Sequence, residues 1–215
     1  MPCAFIIVMI VGTGLKIRGE TKIILDKNSN LTDGDRLITH AHSDPVAFAQ
    51  LYRRHYDAVF RYCVHRLFDR QTAEDVTSTV FLKTVENFSR FKGTERQFRN
   101  WLYKIATNAV NSHLRSTRRR SELSKAAWWQ TNGEVIDCEA PMDEADKKFA
   151  VLRDAVFTLK PRYQTIITLR FFENLKLNEI AEVLGSSDGT VRSQLARALA
   201  KLRKKIHKLA TEKFD

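Results

Sequence analysis

Cysteine is scarce in this chain. Cys3, Cys63 and Cys138 are the only three, an odd set with no CxxC pair. That argues against a disulfide framework and fits a reducing cytosol. His40 and His42 stand one residue apart and Cys63 lies near His65, and neither spacing holds a metal ion, so no metal site is expected. No apolar run approaches the roughly 20 residues a membrane-spanning helix needs. The longest, CAFIIVMIVG at 3–12, has no Lys or Arg before it and no clear small-residue cleavage site, so it does not read as a secretory leader. Of a membrane-associating tail, a strand and an artefact of an upstream start codon, we favour the artefact. After residue 43 there is no strand alternation, internal repeat or low-complexity tract. No Gly-rich loop suited to phosphate appears either, so no cofactor and no nucleotide hydrolysis are expected. Acid is also short: 25 Asp and Glu stand against 36 Lys and Arg, a net charge of +11. Such an excess points to a polyanionic partner, nucleic acid or an anionic membrane surface, and says nothing of fold.

What the 215 residues do contain is helical periodicity, with 43% hydrophobic residues to bury and length for one or two domains. The most informative stretch is LNEIAEVLGSSDGTVRSQLARALAKLRKK, from Leu177 to Lys205. Leu177, Ile180, Ala181 and Leu184 share one helical stripe. Gly185 breaks the helix, as a residue in left-handed conformation does. Ser186, Ser187 and Asp188 then offer cap oxygens for a second helix. Its apolar stripe is Val191, Leu195, Ala198, Leu199, Leu202, Ile206 and Leu209. Facing stripes on a short and a long helix make a helix-turn-helix. The opposite face carries Ser193, Ala196, Arg197, Ala200 and Lys204, flanked by Arg192, Lys201 and Lys208. Small residues let the helix sink against another surface, and cations around them match phosphates beside a groove. The bland alternative is a solvated basic helix closing a helical domain.

Upstream, residues 1–43 read as a tail, apolar and then polar without a strong period. Asp44-Pro45 is a cap followed by proline at the first helical position. Phe48, Leu51, Tyr52, Tyr56, Val59, Cys63 and Leu67 then repeat at helical spacing. A second helix is expected from about Thr72 to Phe88, with Val76, Val80, Thr84 and Phe88 on one face. Glu74 and Asp75 would sit in its first turn, where the helix dipole favours anions. A loop at Phe91 to Thr94 precedes a third helix, about Glu95 to Arg118, with Phe98, Leu102, Ile105 and Ala109 inside. Arg96, Arg99, Lys104, Arg115, Arg118, Arg119 and Arg120 make it basic. Trp101 and Tyr103 lie among these cations. Rings between cations suit single-stranded nucleic acid, although a core role for the Trp101 ring is equally consistent with the pattern. Residues 121–140, with Trp128, Trp129, Glu134, Asp137 and Glu139, read as a linker. Its acids could lie against the basic faces and hide them. Pro141 would open a helix with Phe149, Leu152, Val156 and Leu159 inside. Pro161 restarts the chain, and Tyr163, Ile166, Ile167, Phe171 and Phe172 form the next stripe.

These motifs together resemble the small two-domain sigma factors of bacterial RNA polymerase, the extracytoplasmic-function (ECF) group of the sigma-70 family. The resemblance covers about Asp44 to Lys208. TAEDVTSTVFLKTVENFSRF resembles the family's core-polymerase-binding helix, and FRNWLYKIATNAVNSHLRSTRRR its promoter-melting helix. LKPRYQTIITLRFFENLKLNEIAEVLGSSDGTVRSQLARALAKLRK resembles the domain that reads the minus-thirty-five element. The implied fold is all-α: two small helical domains on a flexible linker, the C-terminal one a helix-turn-helix without a wing. Region 2 would span 44–120, the linker 121–140 and region 4 141–210. The implied partners are core RNA polymerase, through its clamp helices and flap, and promoter DNA, duplex and single-stranded. An anti-sigma factor is frequent in the group, but no residue here identifies one. No small-molecule substrate is implied, and a cytoplasmic location is.

Carried over residue by residue, the resemblance puts Glu74, Asp75, Val76, Phe81 and Lys83 on the clamp-docking face. The loop from Lys92 to Gln97 matches the segment that captures a flipped minus-ten base. Lys92, Arg96, Arg99, Asn100, Trp101, Lys104, Asn108 and Ser112 become the minus-ten set. Ser187, Thr190, Arg192, Ser193, Ala196, Arg197 and Lys201 become the minus-thirty-five set. The chain departs from the family pattern at Ser78 and Thr79, where Gln-Glu is common, which leaves the details of docking open. Ser112 replaces an amide or basic residue, so a minus-ten preference does not transfer. Lys160 intervenes between the usual Leu and Pro. Two rivals stand beside this reading. One is a transcriptional regulator using the helix-turn-helix alone. The other is a nuclease built on Glu74, Asp75 and a histidine; adjacent helical carboxylates point about 100° apart and share a metal poorly. No catalytic residue is expected.

Overall fold

The computed structural model describes residues 32–128 and 155–214, with side chains at 32–119 and 155–206. The apolar segment 3–12 and the acids Glu134, Asp137 and Glu139 lie outside the described residues, as does the helix expected after Pro141 with Phe149 and Leu152. The regular elements among the described residues are all helical, and none is long and apolar enough to cross a membrane.

Helix α1 (Asp33–Ala41) falls where the sequence suggests only a tail. Thr32 and Asp35 cap it reciprocally: Asp35 N donates to the Thr32 hydroxyl at 3.2 Å and Thr32 N to the Asp35 carboxylate at 3.3 Å. Ile38 and Ala41 are buried beneath it. The rest of its nine residues are mostly polar, and Leu37, Ile38 and Ala41 are the few apolar side chains that mark its inner face. Helix α2 (Pro45–Leu67) begins as expected, with Val46 N donating to Asp44 at 2.9 Å. It ends at Phe68 in the left-handed region, φ 54°.

Helix α3 (Arg70–Phe88) starts two residues earlier than Thr72, because Asp69 takes the cap by accepting from Thr72 N at 2.7 Å. Glu74 and Asp75 therefore lie beyond the first turn, and their expected dipole role is withdrawn. Glu74 instead pairs with Arg70 one turn back, at 3.4 Å. Helix α4 (Glu95–Trp128) runs on through Ser121–Trp128, so the stretch expected to start a linker starts as helix. α1 is tied to its N-terminus: Glu95 N donates to Asp35 at 2.7 Å, and Arg54 bridges Asp33 and Glu95 at 3.0 Å each.

α1 to α4 enclose an interior of rings and aliphatics. Phe98 meets Phe88 at 5.8 Å and Phe91 at 5.4 Å, both edge to face, and Phe48 meets Phe88 at 4.9 Å. Burial pushes the Cys63 thiol up to about 11, so it packs as a small hydrophobe.

The second body is built from α5 (Pro161–Ile167), α6 (Leu177–Leu184) and α7 (Asp188–Phe214). A π turn, Thr168–Phe172, continues α5, with Glu173 N donating to Thr168 O at 3.2 Å. The π turn overturns one expected stripe. Tyr163, Ile166 and Ile167 are buried, but Phe171 and Phe172 are 53% and 43% exposed. The wider turn shifts the phase, so that neither ring enters the interior, and Phe172 lies against His65 at 4.3 Å. Asn174 follows with φ 54°, and Leu175 comes back inside. Gly185 ends α6 at φ 61°, as its sequence position suggests. The private core of this body is small: Leu159, Tyr163, Ile167 and Ala198, with Leu202 beside them. Ile166, Leu169, Leu175, Ile180 and Val191 join the cluster of the first body.

Candidate nucleic-acid interface

Two faces could meet nucleic acid, and they differ in what covers them. On α7 the inward stripe forms as its spacing suggests: Val191 and Ala198 are buried and Leu195 and Leu199 half-buried. Ser187, Thr190, Arg192, Ser193, Ala196, Arg197 and Lys201 are all exposed. Thr190 N donates to Ser187 Oγ at 3.2 Å, which caps the first turn and fixes the start of the helix. The result is a small-residue ridge with guanidinium groups on its flanks. A ridge of this kind fits a major groove.

On α4, Arg96, Lys104, Asn108 and Ser112 are exposed, as is Lys92 in the loop before it, and Trp101 is half-buried. The Trp101 ring stacks on Phe91 at 5.1 Å and leans on Phe98 at 5.8 Å. Both readings of Trp101 therefore hold in part, one side against the core and one side open. Beside it a cleft of about 480 Å³ is lined by Lys83, Asn87, Arg90, Phe91, Lys92, Trp101 and Ile105. Aromatic walls and a cationic rim suit one unstacked base with its phosphate. Arg90, Asn87 and Phe91 were not in the expected set. A loop lysine next to an aromatic was the available signal.

Arg99 and Asn100 behave differently. The Arg99 guanidinium binds the Glu179 carboxylate, and Asn100 Nδ2 donates to Glu182 Oε2 at 2.6 Å. Arg96 lies 3.8 Å from Glu182. The Tyr103 hydroxyl donates to Glu173 at 2.7 Å. Burial, with the Glu173 carboxylate beside it, pushes the Tyr103 phenol up, so it stays protonated as a donor. His65 Nδ1 lies 3.8 Å from the other Glu173 oxygen. The second body thus seats α6 and its π turn on part of the α4 surface assigned to minus-ten DNA. Below this, Arg66 is buried and ties three helices. Its guanidinium donates to Gln164 Oε1 at 2.7 Å and to Asn111 Oδ1 at 2.9 Å.

The set expected to dock on polymerase splits. Asp75 and Lys83 are exposed and Glu74 is half-buried, all on α3. Val76 and Phe81 are 6% and 1% exposed, and Phe81 packs against Tyr52 at 4.4 Å. Their side chains hold α3 to the core and are removed from the docking set. Leu82, 50% exposed between them and Lys83, is the apolar residue this face presents.

The comparisons with known proteins align with these elements. A family model described as sigma-70 region 2 matches residues 51–120, and one described as sigma-70, region 4 matches 149–202. The RNA polymerase sigma factor YlaC of Bacillus subtilis (strain 168) is 31% identical over 174 residues, 80% of this chain and 97% of that protein. The ECF RNA polymerase sigma factor BldN of Streptomyces coelicolor is 36% identical over 162 residues, 73% of this chain but only 59% of that longer protein. Among solved structures, CnrH in complex with the cytosolic domain of CnrY superposes with a TM-score of 0.60 at 22% identity, over 82% of this chain and 99% of that one. The sigma factor RpoE in complex with the anti-sigma factor NepR, from Bartonella quintana, gives 0.56 at 19% identity, over 74% and 96%. At such identities these two likenesses speak for the fold.

Proposed function

The chain belongs to the sigma-70 family of RNA polymerase sigma factors, in its ECF group, and on that premise we propose how its surfaces divide the work of promoter recognition. The exposed row Arg192, Ser193, Ala196 and Arg197 on α7, backed by buried Val191 and Ala198, carries the reading. It enters the major groove at the upstream element, where base edges distinguish all four pairs. The exposed part of α4, with the Trp101 cleft, holds the non-template strand after melting. Asp75, Leu82 and Lys83 of α3, with Glu74, offer a mixed apolar and charged face to the clamp helices of core polymerase. Bond formation belongs to the polymerase; this chain works in the cytoplasm by positioning DNA. RpoE was solved with the anti-sigma factor NepR and CnrH with the cytosolic domain of CnrY, and an anti-sigma partner is proposed for this chain as well.

Run-off transcription with purified core enzyme and genomic DNA tests the reading. Promoter-specific transcripts that appear only with this protein are expected, and their absence, or failure to co-elute with core polymerase, overturns it. Arg197→Ala should weaken binding to the upstream duplex by about 2 kcal/mol if Arg197 reads a base. Equal loss on specific and random duplexes in a titration would reassign it to phosphate.

A further inference from the structure

Helix α1 lies ahead of residues 51–120, the stretch matched to region 2, yet its first turn converges on a single residue of that stretch, Glu95. Glu95 is the first residue of α4 and follows directly on the loop from Phe91 to Thr94. Phe91 and Lys92 of that loop line the cleft beside Trp101. The point where the loop becomes helix therefore sets where one wall of the cleft stands. α4 supplies part of its own cap: Thr94 N donates to Gln97 Oε1 at 2.8 Å, and Gln97 N to the Thr94 hydroxyl at 3.3 Å. A helix has no internal acceptor for its first N–H groups, so Glu95 N must find one elsewhere. Asp35 supplies it at 2.7 Å, from 60 positions away in the chain. The Glu95 N–H, with the Thr32 hydroxyl, holds the Asp35 carboxyl below the usual carboxylate range. The acceptor is thus an anion at a helix N-terminus, a favourable place for it. The Glu95 side chain is fixed as well, because Arg54 donates to it and to Asp33 at 3.0 Å each. Gly34 allows the close approach: a Cβ there would overlap the Glu95 carboxylate.

We propose that α1 braces the strand-capture cleft: Asp35 is a positioning residue that anchors the start of α4 through Glu95 N, and so holds the Phe91–Thr94 wall in place before a base enters. The inference rests on the reading of that cleft as the site for an unstacked base. Asp35 itself touches no DNA. A wall that is already set spares the ordering a loose loop would undergo on binding. Where the wall is set in only a fraction of molecules, the apparent affinity for the captured base falls by that fraction.

The test uses holoenzyme, reconstituted with core polymerase, and fluorescein-labelled non-template strands of a promoter mapped by run-off transcription. Single abasic sites are walked through the minus-ten segment, and anisotropy reads affinity. In the parent, one abasic position should weaken binding. Asp35→Ala should bind the intact strand roughly tenfold more weakly, yet bind the strand abasic at that position as the parent does. Asp35→Asn keeps an oxygen for Glu95 N and should recover part of the loss. Thr32→Ala weakens the cap of α1 but leaves the bond from Glu95 N to Asp35, and should stay near the parent. Equal losses on intact and abasic strands, no loss on either, or an asparagine variant as weak as the alanine one overturns the brace and leaves the base pocket standing. A parent indifferent to every abasic position removes the pocket, and the brace with it. Circular dichroism checks that helicity is kept. If Asp35→Ala loses it, Arg54→Ala decides: its site is exposed, it releases the Glu95 carboxylate, and absence of the same split between intact and abasic strands refutes the proposal.

Discussion

Around Phe98 the first body packs ring on ring, with Phe88, Phe91 and Trp101 all within 6 Å. Tyr103, five residues further along α4, keeps its ring edge to face with Tyr62 at 5.6 Å, but its hydroxyl meets Glu173, and Arg99 meets Glu179 close by. The first turns of one helix therefore send Phe98 into a dry interior and the interleaved Arg99, Asn100 and Tyr103 into a charged junction. Apolar burial has no preferred partner and is lost only when the body unfolds. Ion pairs and charge-assisted hydrogen bonds are directional, and water, salt or another anion can replace them. The junction combines both kinds: directional contacts to Glu173, Glu179 and Glu182 lie beside Ile166, Leu169, Leu175 and Ile180, which share the buried cluster of the first body.

Four changes probe this contrast, in falling order of effect. Phe98→Ala removes the centre of the ring cluster and should cost about 4 kcal/mol in urea unfolding. A value under ~1 kcal/mol would mean the interior is far looser than its ring distances suggest. Arg66→Ala strands Gln164 and Asn111 and leaves a void where α2, α4 and α5 meet; about 3 kcal/mol is expected. Arg66→Met, which keeps the volume, should recover part of that, and equal costs would show that the hydrogen bonds alone matter.

Acid probes the scaffold through His55. Burial holds its pKa at about 4, down from 6.5, and the neighbouring Glu95 carboxylate, 3.9 Å away, only partly opposes this. The native state therefore keeps His55 neutral while the unfolded chain protonates it. Stability is full above pH 6.5 and declines as the pH falls toward about 4. Between pH 6.5 and about 5 the loss should be about 2 kcal/mol, and it should vanish in His55→Gln followed by urea titration at both pH values. Last, Tyr103→Phe removes the one hydrogen bond made to Glu173 at the junction, worth about 1.5 kcal/mol. Amide exchange in α6 should then quicken about tenfold while α3 keeps its protection. Equal acceleration in both would erase the distinction between junction and scaffold.

The sequence speaks most clearly where a residue type has one local use. Asp44-Pro45 starts α2, Gly185 ends α6, and the stripe of Val191 and Ala198 orients α7. Two neighbouring regions were misread for local reasons. α1 is short, with only Leu37, Ile38 and Ala41 to mark its inner face, and α4 continues past its arginines through the short run SELSKAAW. The burial of Val76 and Phe81 was open to inference, since Val76 falls on the stripe with Val80 and Thr84, but the likeness to a docking helix outweighed it. The junction had no local sign at all. Arg99 and Glu179 are 80 residues apart, and each alone reads as an ordinary surface charge.

The π turn at Thr168–Phe172 carries a consequence for how this protein can vary. Because it holds one residue more than a regular turn, it sets the azimuth of everything that follows. Deleting a single residue there would swing Glu173 about 100° around the axis, away from Tyr103, and would shift the Phe172 ring off His65, which it now meets at 4.3 Å. Attachment between the two halves is therefore encoded in chain length as well as composition, and a one-codon loss would undo the Glu173 and Phe172 contacts together without changing any helix before it.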